Sequence, residues 1–188
     1  MINVKSYQVE KVERMLASIP NGAKRVLTRA LNRAIAGAKT DAIEQITATY
    51  TIKATTVRDS LTLKKANFNI LNASLKADGR VIPLTKFKIT EGKITQDGKS
   101  RPIIRTTIKH GETKTLKHGF LATMATGHRG VFLRTGKERL PIKQVFSLSI
   151  PQMLGNKDIK KYLEDNAHDR LDKTITHEIE RLLKGISA

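Results

Sequence analysis

Near each end of this sequence the apolar residues fall three and four apart over a long stretch, a spacing that an α-helix turns into one continuous face. From about 157 to 184 the stripe is Ile159, Leu163, Ala167, Leu171, Ile175, Ile179 and Leu183, running on to Ile186 and thickened by Tyr162 and Leu182. Pro151 opens this part of the chain, Asn156 stands where a helix cap belongs, and Gly185 is placed to stop the helix. From about 22 to 48 the stripe is Leu27, Ala30, Leu31, Ala34, Ile35, Ala38, Ala42, Ile43 and Ile46. At the helical rise such a segment is about 40 Å long. Its alanines admit close approach of a neighbour, and Arg25, Arg29 and Arg33 form a separate stripe. That combination suits a subunit interface, with Leu27, Leu31, Ala34 and Ala38 as candidate contacts. A core helix with a solvated flank fits the same pattern. A shorter helix over 7–19 carries Val9, Val12, Met15, Leu16 and Ile19; Pro20-Asn21-Gly22 breaks it, and Asn21 is a candidate N-cap for the long helix.

Between the helical ends the period changes to two. Thr51-Ile52-Lys53 reads as extended and Thr55–Ser60 as one or two helical turns. Phe68 and Ile70 alternate in one phase and Leu71, Ala73 and Leu75 in the other, which suggests a bulge or a two-faced strand. Leu84, Phe87 and Ile89 lie near the next strand, with Lys86 and Lys88 in the opposite phase. Ile104, Thr106 and Ile108 then alternate with Arg105, Thr107 and Lys109, a half-buried strand with one basic face. Shorter strands are expected at Phe120–Met124, Val131–Arg134 and Lys143–Leu148, and Asp78-Gly79, Glu91-Gly92 and Asp97-Gly98 read as turns. The order predicts an α+β fold: two N-terminal helices (one long), a mainly antiparallel twisted sheet over about 61–149, and a long C-terminal helix. The 188 residues leave room for one domain with a packed core.

Charge divides the chain more sharply than hydropathy does. The whole carries +18, yet residues 157–188 hold seven basic and seven acidic side chains. Residues 53–143 hold 20 basic against 6 acidic, a local +14 that favours a polyanion or an acidic protein surface. The absence of cysteine excludes disulfides, thiolate metal sites and cysteine nucleophiles. Met-Ile-Asn-Val-Lys-Ser at the start lacks an apolar signal core, and no apolar run has the length of a membrane span, so no membrane partner is expected.

Little in the sequence points to catalysis. The five histidines form neither HExxH nor a pair three or four apart, and neither a metal nor any other cofactor is expected. Gly130 to Lys137 imitates a phosphate-binding loop, but five residues separate its glycines and Glu138 stands where a magnesium-binding Ser or Thr belongs. No GxSxG, Ser-Lys or paired-carboxylate arrangement stands out, and no catalytic residue is assigned. Aromatic residues are scarce beside the basic ones, which argues against a stacking platform for single strands. Any contact with DNA would be with phosphates and blind to sequence.

The densest local signature lies in residues 119–156. Gly127-His128-Arg129-Gly130-Val131-Phe132, the turn Arg134-Thr135-Gly136-Lys137, Arg139-Leu140-Pro141-Ile142-Lys143 and Ser149-Ile150-Pro151 strongly resemble the prophage minor tail protein Z family, the tail completion proteins of lambda-like and related tailed phages. Arg29-Ala30-Leu31-Asn32-Arg33-Ala34 and Tyr50-Thr51-Ile52-Lys53 match as well. The resemblance implies a structural virion protein at the head-proximal end of the tail, assembled in bacterial cytoplasm. Its partners would be the tail terminator or tail tube protein, the head–tail connector, and further copies of itself in a ring, hexameric in the simplest case. Arg129, Arg134, Lys137 and Arg139, beside the Gly127–Gly130 and Thr135–Lys137 turns, are candidate contacts to an acidic neighbour or to phage DNA; a plain hairpin with solvated charges is the other reading of this cluster. A freestanding nonspecific DNA-binding protein, and another neck or tail-terminator protein, are the competing expectations.

Overall fold

A computed structural model describes residues 2–4, 9–96 and 99–184. The elements run β1 (Ile2–Val4), α1 (Val9–Met15), α2 (Gly22–Thr49), α3 (Ala54–Asp59), β2 (Leu61–Lys64), β3 (Ala73–Ala77) and β4 (Ile82–Pro83). After a 3-10 turn at Leu84–Lys86 come β5 (Lys88–Gln96), β6 (Lys99–Thr107), β7 (Thr113–Lys117), β8 (Phe120–Thr123) and β9 (Arg129–Arg134). The chain ends with β10 (Ile142–Gln144), β11 (Phe146–Ser147), α4 (Ile150–Leu154) and α5 (Lys157–Lys184). The fold is mixed α+β, and all the strand pairs among the described residues are antiparallel. In place of one sheet there are small ones: β1-β3-β2, β5-β6-β7, β10-β9-β8 and the pair β11-β4. No helix among the described residues is long and apolar enough to cross a membrane.

The chain condenses into two compact units, and neither is one continuous stretch of sequence. The first comprises 1–44, 59–78 and 154–188; the second comprises 45–58 and 79–153.

In the first unit α2 and α5 are the principal elements. The α2 stripe is closed inside the chain: Val26, Leu27, Ala30, Leu31, Ala34, Ile35, Ala38 and Ala42 are all at most 1 % exposed. From α5, Ile159, Leu163, Ala167, Leu171, Ile175 and Ile179 are buried in turn. Ion pairs fix the antiparallel register of the two helices. Arg170 forks onto Asp41, with Nη1 on Oδ2 at 2.9 Å and Nη2 on Oδ1 at 3.2 Å. Nearer the other end, Arg29 meets Glu178 at 3.3 Å, and Glu178 also receives Arg181 at 3.2 Å. Arg170 reaches Asp41 by lying across Gly37, where an added Cβ would overlap its guanidinium. That approach explains a glycine inside a helix, where it otherwise costs about 1 kcal/mol relative to alanine.

Caps and turns follow the expected chemistry with informative exceptions. Asn156 caps α5, its Oδ1 accepting the Asp158 N–H at 3.0 Å and its carbonyl the Lys160 N–H at 2.8 Å. Asn21 instead adopts a left-handed φ of 57° and accepts the Arg25 N–H with its backbone carbonyl. Asparagine tolerates that conformation because its short amide can bond locally. Phe68 and Ile70 are not in a strand; they lie in the β2–β3 loop, which is why the alternation appears to switch phase there. Glu91-Gly92 is not a turn, for it sits inside β5 opposite Ile104 and Ile103. Residues 7 and 8, Asp97-Gly98, Gly185 and Ile186, which the sequence reading assigns to helix and turns, lie outside the described residues.

The second unit packs its strands on a smaller core of Leu84, Ile104 and Val131, with Ile89, Ile108, Leu116, Leu121 and Val145 around them. The β5–β6 pair extends past β7, which pairs only with Ile103–Thr107. Thr51 joins this unit by accepting the Lys88 N–H on its hydroxyl and donating that hydroxyl to the Thr107 carbonyl.

Two stability outcomes follow. Arg170→Ala should cost about 1–2 kcal/mol in the parent chain and close to nothing in a Gly37→Ala background, because the added methyl group already expels the guanidinium. Urea unfolding read as a double-mutant cycle measures this, and equal costs in both backgrounds would refute the coupling. Ile104→Ala should cost about 3 kcal/mol, several times the cost of Ile94→Ala on the projecting part of the same pair of strands.

Candidate functional site

Residues directly opposite each other in an antiparallel sheet present their side chains on the same face. The register of β5, β6 and β7 therefore decides which of the many basic residues are companions. One face carries the rows Lys88–Thr107–Thr113, Thr90–Arg105–Thr115, Gly92–Ile103–Lys117 and Ile94–Arg101. Each row holds one basic side chain, the others being threonine, glycine or isoleucine, and no acid falls on this face. Lys88, Arg105 and Lys117 are exposed and Arg101 is half-buried. Spreading the charges one to a row avoids like charges directly opposite, which destabilise a sheet. The threonines add hydroxyls beside the charges; Thr107 and Thr113 bond each other at 2.9 Å. The other face supplies Ile89, Ile104 and Leu116 to the core. The alternation of Ile104 and Thr106 with Arg105 and Thr107 predicts this division on β6, and both Ile104 and Thr106 are buried; Ile103, in the midst of the basic face, is buried as well, so that face is not exposed throughout. Arg101 and Arg105 share a face by their even spacing on β6, but nothing local in the sequence shows that Lys88 and Lys117 join them, since only the pairing brings those strands alongside.

The four sequence-predicted contact residues, Arg129, Arg134, Lys137 and Arg139, are all exposed. They do not form one cluster. Arg129 begins β9 and Arg134 ends it, so their α-carbons are separated by about 17 Å at strand rise, and their odd and even positions point them to opposite faces. Arg129 follows a tight turn in which Gly127 (φ 79°) donates to the Met124 carbonyl and Met124 to the His128 carbonyl, both at 2.8 Å. The positive φ accounts for a glycine at 127. Gly130 is in β9 itself and is needed for space, because a Cβ there would stand 3.0 Å from the Phe132 ring and from Gln144. Arg134 is held over the Phe120 ring at 5.3 Å, and Phe120 packs on Phe132 with ring centroids 6.2 Å apart. Part of its charge is thus directed at an aromatic face. Lys137 and Arg139 ride on the following turn, which Thr135 closes with two bonds to the Pro141 carbonyl, from N at 3.1 Å and from Oγ1 at 3.0 Å.

Leu27, Leu31, Ala34 and Ala38, the candidate subunit contacts, are 1 %, 0 %, 0 % and 0 % exposed in the single chain. Their area is already consumed by packing within the protomer, so a neighbouring copy would meet other residues. Of the arginine stripe, Arg29 is engaged by Glu178. Arg33 lines an open depression of about 580 Å³ with Asp41, Tyr162, Asp169, Arg170 and His177. Lys173 lines it as well, so both signs of charge are present, with Asp41 already paired to Arg170. Among the described residues no group of three or more His, Asp or Glu side chains is arranged to hold a metal ion.

The sheet face and the β8–β10 hairpin are thus scaffolds of hydrogen-bonding and cationic groups, suited to recognition of negative charge. Neither a curated protein nor a solved structure matches the chain. A family model does: prophage minor tail protein Z matches residues 8–187. With the family signature spanning both units, the chain belongs to the prophage minor tail protein Z family and is a structural, virion-associated protein of the phage tail.

Proposed function

We propose that this protein completes the head-proximal end of the tail, joining the tail terminator or the last ring of tube protein to the head–tail connector during virion assembly. The family match over residues 8–187 carries the reading. The acid-free face of Lys88, Arg101, Arg105 and Lys117 supports it, since a collar protein adjoins both acidic protein surfaces and the path of the DNA. Copies of the chain close into a ring, hexameric in the simplest case, through a head-to-tail contact. With the α2 stripe enclosed, that contact uses outer surfaces. The protein works by occupying a position, with no cofactor and no chemical step.

A freestanding, sequence-blind DNA-binding protein is the second reading, and the same basic face is the observation that favours it. The two readings separate in particles. A phage lacking this chain should accumulate filled heads and full-length tails that fail to join, as seen by electron microscopy, and supplying the chain should restore joining. Short or absent tails would instead indicate a role in tube assembly. The combined variant Lys88→Gln, Arg101→Gln, Arg105→Gln and Lys117→Gln should lower joined particles at least tenfold while its circular dichroism stays that of the parent. For binding to a short DNA duplex, the same variant should flatten the slope of log affinity against log salt by about 3–4, the expected release of counterions by four phosphate contacts.

A further inference from the structure

The loop between β2 and β3, residues 65–72, is longer than a hairpin needs, and it is held in one conformation. Asn32, projecting from α2, satisfies both backbone groups of Ala66: its Oδ1 accepts the Ala66 N–H at 2.8 Å and its Nδ2 donates to the Ala66 carbonyl at 3.0 Å. The Ala66 side chain is buried beneath. Next to it Asn67 folds the loop tip, with Oδ1 accepting the N–H groups of Asn69 at 3.0 Å and Ile70 at 2.7 Å, and its own N–H donating to the Ile70 carbonyl at 3.0 Å.

This anchored loop exposes two large apolar side chains. Phe68 is 51 % exposed and Ile70 is 53 % exposed. The other large apolar residues with comparable exposure among those described, such as Met15, Val81, Leu140 and Phe146, lie apart in the sequence, whereas these two share one loop tip. Lys64 and Lys65 precede the tip and are exposed, and no acid occurs between Asp59 and Asp78. Paired apolar anchors on a loop that needs no ordering have the properties of a binding hot spot, because the entropy of fixing the loop is already met by folding.

We infer that Phe68 and Ile70 form a preorganised plug that seats in an apolar socket on a protein of the tail end, with carboxylates on the socket rim facing Lys64 and Lys65. The lysines on the approach and the lack of any acid in this hairpin select an acidic-rimmed partner over a further copy of this +18 chain. The inference rests on the tail-completion reading, because it takes the partner from the tail.

The test uses tails purified from a phage that lacks this chain, incubated with the full-length protein and sedimented. Parent protein should co-sediment with the tails; its failure to do so would overturn the tail-completion reading itself. Given parent binding, Phe68→Ser/Ile70→Ser should bind at least tenfold more weakly, and Lys64→Glu/Lys65→Glu should lose most of the binding. Val81→Ser, which removes an exposed apolar side chain elsewhere, should bind like the parent. Equal binding by the plug variant, or an equal loss with Val81→Ser, would overturn the plug. A change confined to sedimentation of the protein alone would assign the loop to self-association and overturn it as well. Both plug residues are exposed, so the variant's melting temperature should stay close to the parent's, and this is checked in parallel.

Discussion

Charge pairing between α2 and α5 governs the helical unit. Alanines at 30, 34, 38 and 42 remove bulk along one side of α2, and Gly37 leaves bare backbone over which Arg170 lies. The guanidinium then meets Asp41, whose side chain is only 12 % exposed. A carboxylate so far removed from water needs a hydrogen-bonded counter-charge, or its desolvation works against folding. Glu178 is in the same position on α5, with Arg29 and Arg181 converging on it. The buried apolar stripes of the two helices do not by themselves choose a register, since a stripe of this period looks much the same after sliding by a turn. The two carboxylates and their arginines select the register, because any other leaves a buried charge unmatched.

In the strand-rich unit the equivalent constraint is pairing. A core this short of aromatic residues relies on isoleucine, leucine and valine from several strands. The same strands carry lysine, arginine and threonine at most of their alternate positions in β5, β6 and β7, with the buried Ile103 among them. The basic side chains thus lie mostly on the reverse of the face that supplies Ile89, Ile104 and Leu116 to the core. Their charges would repel one another in a tighter arrangement, and the one-per-row spacing relieves that repulsion without any acid. What remains is an unneutralised positive field, which is a reason for such a chain to have a negatively charged neighbour in the particle.

Much of this was legible in the residues, for identifiable reasons. Both long helices could be read to within a residue or two because their stripes persist over many turns, and Asn156 signalled its cap through side-chain chemistry that acts locally. The short α3 and most of the strands were visible as changes of period. Phe68 and Ile70 misled because alternation over so few residues does not distinguish a strand from a loop whose conformation is set by Asn67 and by Asn32, a residue far away in the sequence. Glu91-Gly92 misled because glycine serves close cross-strand approach to Ile103 as readily as it serves a turn. Arg129, Arg134, Lys137 and Arg139 look like a cluster only because they are near in sequence; a strand between two of them separates their charges.

The sequence by itself determined the helices, the strand-forming middle, the concentration of positive charge there and, through its signature segments, the family. These depend on interactions within a few residues or on composition, and neither requires knowledge of what lies across the fold. Only the tertiary structure decided that the α2 stripe is enclosed within its own chain, that Lys88, Arg101, Arg105 and Lys117 share a face, and that Phe68 and Ile70 remain outside. Each of those outcomes depends on which distant segment arrives alongside. That choice is made by mutual burial and charge matching over the whole chain, and no local pattern encodes it.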